Sequence, residues 1–304
     1  MCGRYLRRAD KKRVAEHFHL PGEPPFPLPP DFNVAPTTHQ PAIRLNRESG
    51  EREAVLMRWG LVPYQAKSLD EYKGISTINA RAESVQVGMW KRLFERQRCL
   101  IPADGFYEWE TLLPSAASGP KKAKPRKKPI RFWLKNDPVF AFAGLWDAWK
   151  NPATGEWLQS FAIITTEANE MLASIHTRMP VILQPKDYAR WIDRSPGAVL
   201  PVDLLRPFDA EAMESAEANP AVNNARNNGE ELLEKPLEDD GFSLGVLGIC
   251  GGWGKTSTQR ALRTQSCAKG FVAGWRKEDA TTLRAPRFAT FFYAGTFLGR
   301  VRLR

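Results

Sequence analysis

The chain has 304 residues, 42% of them apolar and 26% charged, which suits a globular protein with one sizeable core and room for a small second unit. No stretch approaches the roughly 20 apolar residues needed to span a bilayer. The start, Met1-Cys2-Gly3-Arg4-Tyr5-Leu6-Arg7-Arg8, lacks the apolar centre of a signal peptide, so a cytoplasmic location is the default expectation. The net charge of +10 is uneven. Residues 238–304 hold 11 Lys+Arg against 5 Asp+Glu, which leaves only +4 on 1–237. Lys121, Lys122, Lys124, Arg126, Lys127, Lys128 and Arg131 outweigh that remainder, so basicity points to one loop and the tail as places that could meet a polyanion.

In chain order, Asp10 is placed to cap a short helix through about His17. The proline-rich stretch 21–30 excludes helix and central strand. Short strands are predicted near 41–46, 53–59 and 76–80. A helix follows from Ser84 to about Gln97, with Met89, Trp90, Leu93 and Phe94 on its apolar side. Strands 99–101 and 105–110 flank a turn at Pro102-Ala103-Asp104-Gly105. The segment 111–129, rich in Pro, Ser, Ala and Lys, reads as a flexible basic insertion. Strands resume near 130–134, 139–145 and 160–165. Ala168, Met171, Leu172 and Ile175 have helical spacing, and Pro185 opens another helix through about Ile192. Residues 218–231 read as loop.

Strands outnumber helices without regular βαβ alternation. The expectation is an α+β fold, a mainly antiparallel curled sheet, barrel-like, flanked by short helices. The domain division expected is 1–237 and a basic tail, 238–304, with Gly clusters and no clear period. Gly254-Lys255-Thr256 in that tail is not a phosphate-binding loop, because the motif needs glycine at 249 and that residue is Ile249.

The four cysteines, Cys2, Cys99, Cys250 and Cys267, show no CxxC spacing and no metal-ligand pattern with histidine. Cys99 and Cys250 read as buried or incidental thiols. No metal or other cofactor is called for. Cys2 is different, because removal of Met1 would put an α-amine and a thiol on adjacent carbons. An α-amine titrates near 7.7–8.0, so part of it is neutral at physiological pH. The thiol is a nucleophile once ionised. Together they can trap an aldehyde as a Schiff base and close a five-membered thiazolidine. The plainer reading of Cys2 is an incidental residue near a chain end.

Its company changes that balance. Cys2 opens Cys-Gly-Arg-Tyr. There follow Asn33-Val-Ala-Pro36, Arg58-Trp-Gly-Leu-Val-Pro63, Ile78-Asn-Ala-Arg-Ala-Glu83 and Arg98-Cys-Leu-Ile-Pro-Ala-Asp-Gly-Phe-Tyr-Glu-Trp109. Then come Ala143-Gly-Leu-Trp146 and Ile163-Ile-Thr-Thr166, which leads to His176-Thr-Arg-Met-Pro180. These blocks, in this order, closely resemble the SRAP family, the SOS-response-associated peptidases also called abasic-site processing proteins. The resemblance runs from Cys2 to about Pro236 and includes Asn223-Asn224 and Glu231–Glu234. It does not cover 238–304.

The resemblance implies a role in the DNA damage and SOS responses, with abasic single-stranded DNA as the partner of a monomer. Cys2 would form the thiazolidine with the opened sugar. Asn79 would hold the reacting group, Glu108 would move protons, and His176 would do likewise and support reversal. Arg4 and Arg81 would contact phosphate. The residues themselves allow less. Strand alternation puts Phe106, Glu108 and Glu110 on one face and Tyr107 and Trp109 on the other, where Glu108 could equally be solvated. His176 could be a cation ending a helix or a group titrating near neutrality. Asn79 suits a strand end, Arg4 and Arg81 suit surface ion pairs, and Trp59 suits either the core or a platform for a base. Two rival functions stay open, a cysteine-type peptidase with an N-terminal nucleophile and a non-catalytic single-strand binder.

Overall fold

A computed structural model describes residues 2–72, 77–112, 126–136 and 139–235. Its strands are β1 (Tyr5–Arg7), β2 (Asp31–Val34), β3 (His39–Leu45), β4 (Arg52–Trp59), β5 (Asn79–Arg81), β6 (Arg98–Ala103) and β7 (Gly105–Leu112). They continue with β8 (Arg126–Leu134), β9 (Phe140–Lys150), β10 (Trp157–Glu167), β11 (Arg178–Pro180), β12 (Ile182–Leu183) and β13 (Met213–Glu217). The helices are short: α1 (Lys11–His17), α2 (Gly88–Arg96), α3 (Glu170–Ala173) and α4 (Tyr188–Ile192). None of the described helices is long and apolar enough to cross a membrane. The fold is α+β.

The strands form two sheets. One runs β13-β8-β7-β1-β2 and is antiparallel throughout. The other runs β11-β10-β4-β3-β6-β9-β12 with β5 attached to β10. In it β9 also pairs with β10 from Lys150↔Trp157 to Gly144↔Ile163, which closes β10-β4-β3-β6-β9 into a barrel of five strands. Only β4 and β5 lie parallel to β10.

Alternation along each barrel strand sorts side chains between two cores. Cys99 and Ile101 of β6, with Phe142 of β9 and Phe161 and Ile163 of β10, join the cluster that holds Cys2, Tyr5, Trp59 and Phe106. Leu100, Ala143, Leu145, Ala162 and Ile164 point the other way, against Val14, Leu93, Phe94 and Trp191 of the covering helices. The barrel centre is tight. A Cβ on Gly144 would sit 2.8 Å from Cys99 Sγ and 2.9 Å from Ile101 Cγ1, so the strand needs glycine there for steric reasons.

Local chemistry sets several boundaries. Asp10 caps α1 by accepting from Arg13 N at 2.9 Å. The turn between β6 and β7 is fastened by Asp104, whose buried Oδ2 accepts the Arg8 and Ala9 amides at 2.6 and 3.1 Å. α2 begins at Gly88, four residues past the predicted start, because Ala82–Ser84 form a separate 3-10 turn. The helix expected around 168–175 is one turn only, closed by the Asn169 cap. β7 and β8 extend to Leu112 and from Arg126, so a hairpin takes up both ends of the basic segment. Lys121, Lys122 and Lys124 lie outside the described residues, as do the 238–304 tail, Cys250, Cys267 and Gly254-Lys255-Thr256.

Candidate active site

Strand β1 delivers the chain start to the site. Tyr5 pairs with Phe106 and Leu6 with Gly105, and Tyr107 N donates to Arg4 O at 3.0 Å. One further step of the same register brings Glu108 beside Gly3. A Cβ on Gly105 would meet Phe132 O of β8 at 2.8 Å and Leu6 Cδ2 of β1 at 3.1 Å, so glycine lets β7 fit between its two neighbours. Cys2 is fully buried. Its carbonyl accepts a hydrogen bond from Asn79 Nδ2 at 2.9 Å, and its Sγ lies 3.9 Å from Arg4 O. Asn79 reaches it from β5, which is held parallel to β10 through the pair Asn79↔Ile163. Asn79 Oδ1 is buried and accepts no hydrogen bond among the described residues.

Two acids share this buried pocket, and burial raises the pKa of both. Burial pushes the Cys2 thiol far above its ordinary range, and the nearby Glu108 charge pushes the same way. Burial likewise raises the Glu108 carboxyl to about 7, against the pull of the N-terminal amine, which also hydrogen-bonds it, and the smaller pull of Lys127. A carboxyl with that value is half protonated near neutrality and can give or take a proton.

His176 follows α3 and precedes β11. Its Nδ1 accepts the Arg178 amide N–H at 3.0 Å, so the neutral ring carries its proton on Nε2. Burial lowers its pKa, and the charges of the N-terminal amine, Arg178 and Lys127 add to the effect, so the neutral form is favoured. Lys127 thus bears electrostatically on both Glu108 and His176.

Two supporting devices were not legible as such in the sequence. Arg178 forks onto Glu83 with both Nη atoms at 3.0 Å and also donates from Nε to Thr165 Oγ1 at 3.3 Å. This bolt joins the His176 segment to the residues just after β5. The second device is a clasp. Asn33 Nδ2 donates to the carbonyls of Val222, Asn224 and Asn227 at 3.3, 3.0 and 2.8 Å, while its Oδ1 accepts from Arg4 Nη1 at 2.8 Å. Arg4 also donates to Val222 O at 3.0 Å and lies 5.9 Å from the Trp109 ring centre. The blocks containing Asn33, Glu83 and Arg178 were visible, but only the fold brings these residues to their partners.

Residues 1–225 match the family model for SOS response associated peptidase, SRAP. The chain belongs to the SRAP family. It is 36% identical over 237 residues to the abasic site processing protein YoqW of Bacillus subtilis, covering 77% of this chain and 99% of that one. It is 31% identical over 222 residues to the abasic site processing protein HMCES of Xenopus tropicalis, covering 67% and 65% of the two chains. A crystal structure of a protein from Bacteroides thetaiotaomicron superposes with a TM-score of 0.66 at 25% identity, covering 78% of this chain and all of that one.

Of the residues singled out in this SRAP sequence, Cys2, Asn79 and Glu108 come together in one buried place. Arg81 sits two residues beyond Asn79 on β5, on the same strand face, and is exposed. Trp59 requires a correction. It has no exposed surface, so no base can stack on it. Its indole N–H donates to Ile78 O at 3.0 Å, Tyr5 meets it edge-on at 5.1 Å, and Phe161 stacks at 6.4 Å. β4 ends by turning this ring into the barrel, where it buttresses Tyr5 and hence the strand that carries Cys2. Among the described residues no group of three His, Cys, Asp or Glu could hold a metal ion.

Proposed function

We propose that this chain, once Met1 is removed, captures abasic sites in single-stranded DNA as a thiazolidine on Cys2. The freed α-amine adds to the aldehyde carbon of the ring-opened sugar. The resulting hydroxyl leaves as water when Glu108 supplies a proton, and Glu108 takes back the proton that the nitrogen sheds, giving an imine. The Cys2 sulfur then adds to the imine carbon as its own proton passes to the imine nitrogen, either directly or by way of Glu108. One water is lost overall and no redox partner is needed. Asn79 holds the Cys2 carbonyl and keeps its free Oδ1 for a donor on the reacting group. His176, neutral at pH 7, serves in opening the sugar and in reversal. Arg81 and Arg4 are the proposed phosphate contacts, with Arg4 also part of the clasp.

The observation that carries this reading is the Asn79–Cys2 hydrogen bond at 2.9 Å beside a carboxyl raised to about 7. The names of the relatives support the same substrate. A buried, protonated thiol is a poor nucleophile for a peptide bond, since the thiolate is the attacking species. That favours amine-first capture over a cysteine peptidase. A passive binder would have no use for a proton-transfer carboxyl at the chain start.

The test is denaturing mass spectrometry after incubation with an abasic single-stranded oligonucleotide. The expected product has the summed mass less one water, and it survives heat. An equal heat-stable adduct from Cys2→Ala, or from a chain that retains Met1, would sink the proposal.

A further inference from the structure

A second cleft lies further along β10. Asn79 meets β10 at Ile163, whereas a cleft of about 500 Å³ opens four residues back, at Gln159. At about 3.3 Å per strand residue, the two lie roughly 13 Å apart along β10. Three arginines converge on this cleft from the end of β3 and from the segment after α4. Arg194 Nη2 donates to Leu45 O at 3.0 Å, which sets it between Arg44 and Arg47. Burial, and after it the charges of Arg47 and Arg44, disfavour the protonated form of Arg194, and Glu53 offsets this in part. Glu53 answers Arg44 at 2.8 Å. Among the described residues no acid pairs with Arg47 or Arg194.

The rest of the wall is mixed, with the rings of Tyr64 and Trp146 beside Gln97, Asp147 and Gln159, and with Glu48 and Glu53 on the side of the arginines. The Arg44 guanidinium lies 4.2 Å from the Trp146 ring centre. Arg92 lies 4.6 Å from the Tyr64 ring, which is 59% exposed, and is held by Asp147 at 2.6 Å. Like charges crowded together are costly, and with Glu53 engaged by Arg44 a further anion would relieve Arg47 and Arg194. Arginine forks match the oxygens of phosphate, and the stacked planes offer room for a ring beside it.

We propose that this cleft binds a phosphate group, with Arg47 and Arg194 as its charge partners. The site is separate from the Cys2 pocket, and it does not depend on the capture chemistry. The phosphate could belong to a nucleic-acid backbone or be free in solution.

The experiment is an amide NMR titration of the full chain with sodium phosphate, against sodium chloride at matched ionic strength. Saturable shifts are expected at Asn46, Arg47, Glu48 and Ala148. Arg47→Glu should weaken them about tenfold or more. Arg47 is exposed in a turn, so the fold survives the change, and amides elsewhere report that directly. Arg194→Gln should give a smaller loss. A second arm uses a short undamaged single-stranded oligonucleotide. Tighter, Arg47-dependent shifts with the oligonucleotide identify a strand as the source. Shifts with phosphate alone identify the free ion. The inference is overturned if neither ligand moves these amides beyond the chloride control, or if Arg47→Glu binds as well as the native chain.

Discussion

The two faces of β7 have opposite duties. Phe106 and Glu108 turn toward Cys2 and the barrel core, where a carboxyl is left buried enough to hold its proton. Tyr107 and Trp109 turn toward the clasp, packing with Leu6, Val222, Leu232 and Leu233. Tyr107 Oη donates to Phe32 O at 2.9 Å, and Trp109 Nε1 donates to Asn223 Oδ1 at 2.6 Å. One face keeps a titrating carboxyl out of water, while the other ties a phenol and an indole to the clasp by hydrogen bonds. Chemistry and anchorage are thus one residue apart, and substitutions on the two faces should separate rate from stability.

The largest effect is expected on the Cys2 side. Cys2→Ala removes the sulfur proposed to close the ring, and heat-stable adduct should fall to background in denaturing gels. Next is Glu108→Gln, which keeps the shape and removes the titrating proton. Adduct formation should slow by about 10²–10⁴-fold, the usual worth of a placed acid–base group. In the native chain the rate should decline above about pH 7 as Glu108 loses its proton, and this limb should vanish in the variant. Stability should follow with a definite sign. A carboxyl raised from 4.5 to about 7 on folding stabilises below its unfolded value, and that contribution is lost as pH rises through 7. The native chain should therefore lose on the order of 3 kcal/mol between pH 4 and 8 from this group, and Glu108→Gln should lose none of it. Denaturant melts across that range would show equal slopes if Glu108 were ordinary. His176→Gln should slow formation or reversal by about 10–100-fold, with binding of undamaged strand retained in an anisotropy assay.

The clasp side predicts the reverse pattern. Asn33→Ala leaves buried carbonyls and Arg4 short of partners, at a cost of about 2–4 kcal/mol. The melting temperature should drop, yet the rate of adduct formation at low temperature should stay near native. A rate loss as deep as that of Glu108→Gln would merge the two faces into one function.

Much of this division could be read ahead of the fold. Period-two alternation placed Glu108 with Phe106 and opposite Tyr107, and the Asp10 cap fixed α1. What alternation cannot supply is depth. Glu108 and a solvated carboxylate look alike in sequence, because burial comes from strands far away in the chain. Trp59 shows the same limit, since a tryptophan at a strand end faces either way until the barrel closes around it. Asn33 is the extreme case, because its partners lie roughly 190 residues on and only tertiary packing makes them neighbours. Arg178 and Glu83, 95 residues apart, meet for the same reason.

The smallest expected effect comes from Lys127, which lies outside both faces yet bears on the Cys2 side. It is exposed on β8, and its charge lowers the pKa of both Glu108 and His176. Lys127→Ala should move the descending limb of the rate profile to slightly higher pH, because Glu108 then holds its proton longer. Screening by water and salt keeps that movement to a fraction of a pH unit. If Lys127 also meets a phosphate, the slope of log affinity against log salt should fall by about one. The two readouts are independent. A change of slope without a pH shift would make Lys127 a strand contact only, and a pH shift without a change of slope would make it part of the field that tunes the site.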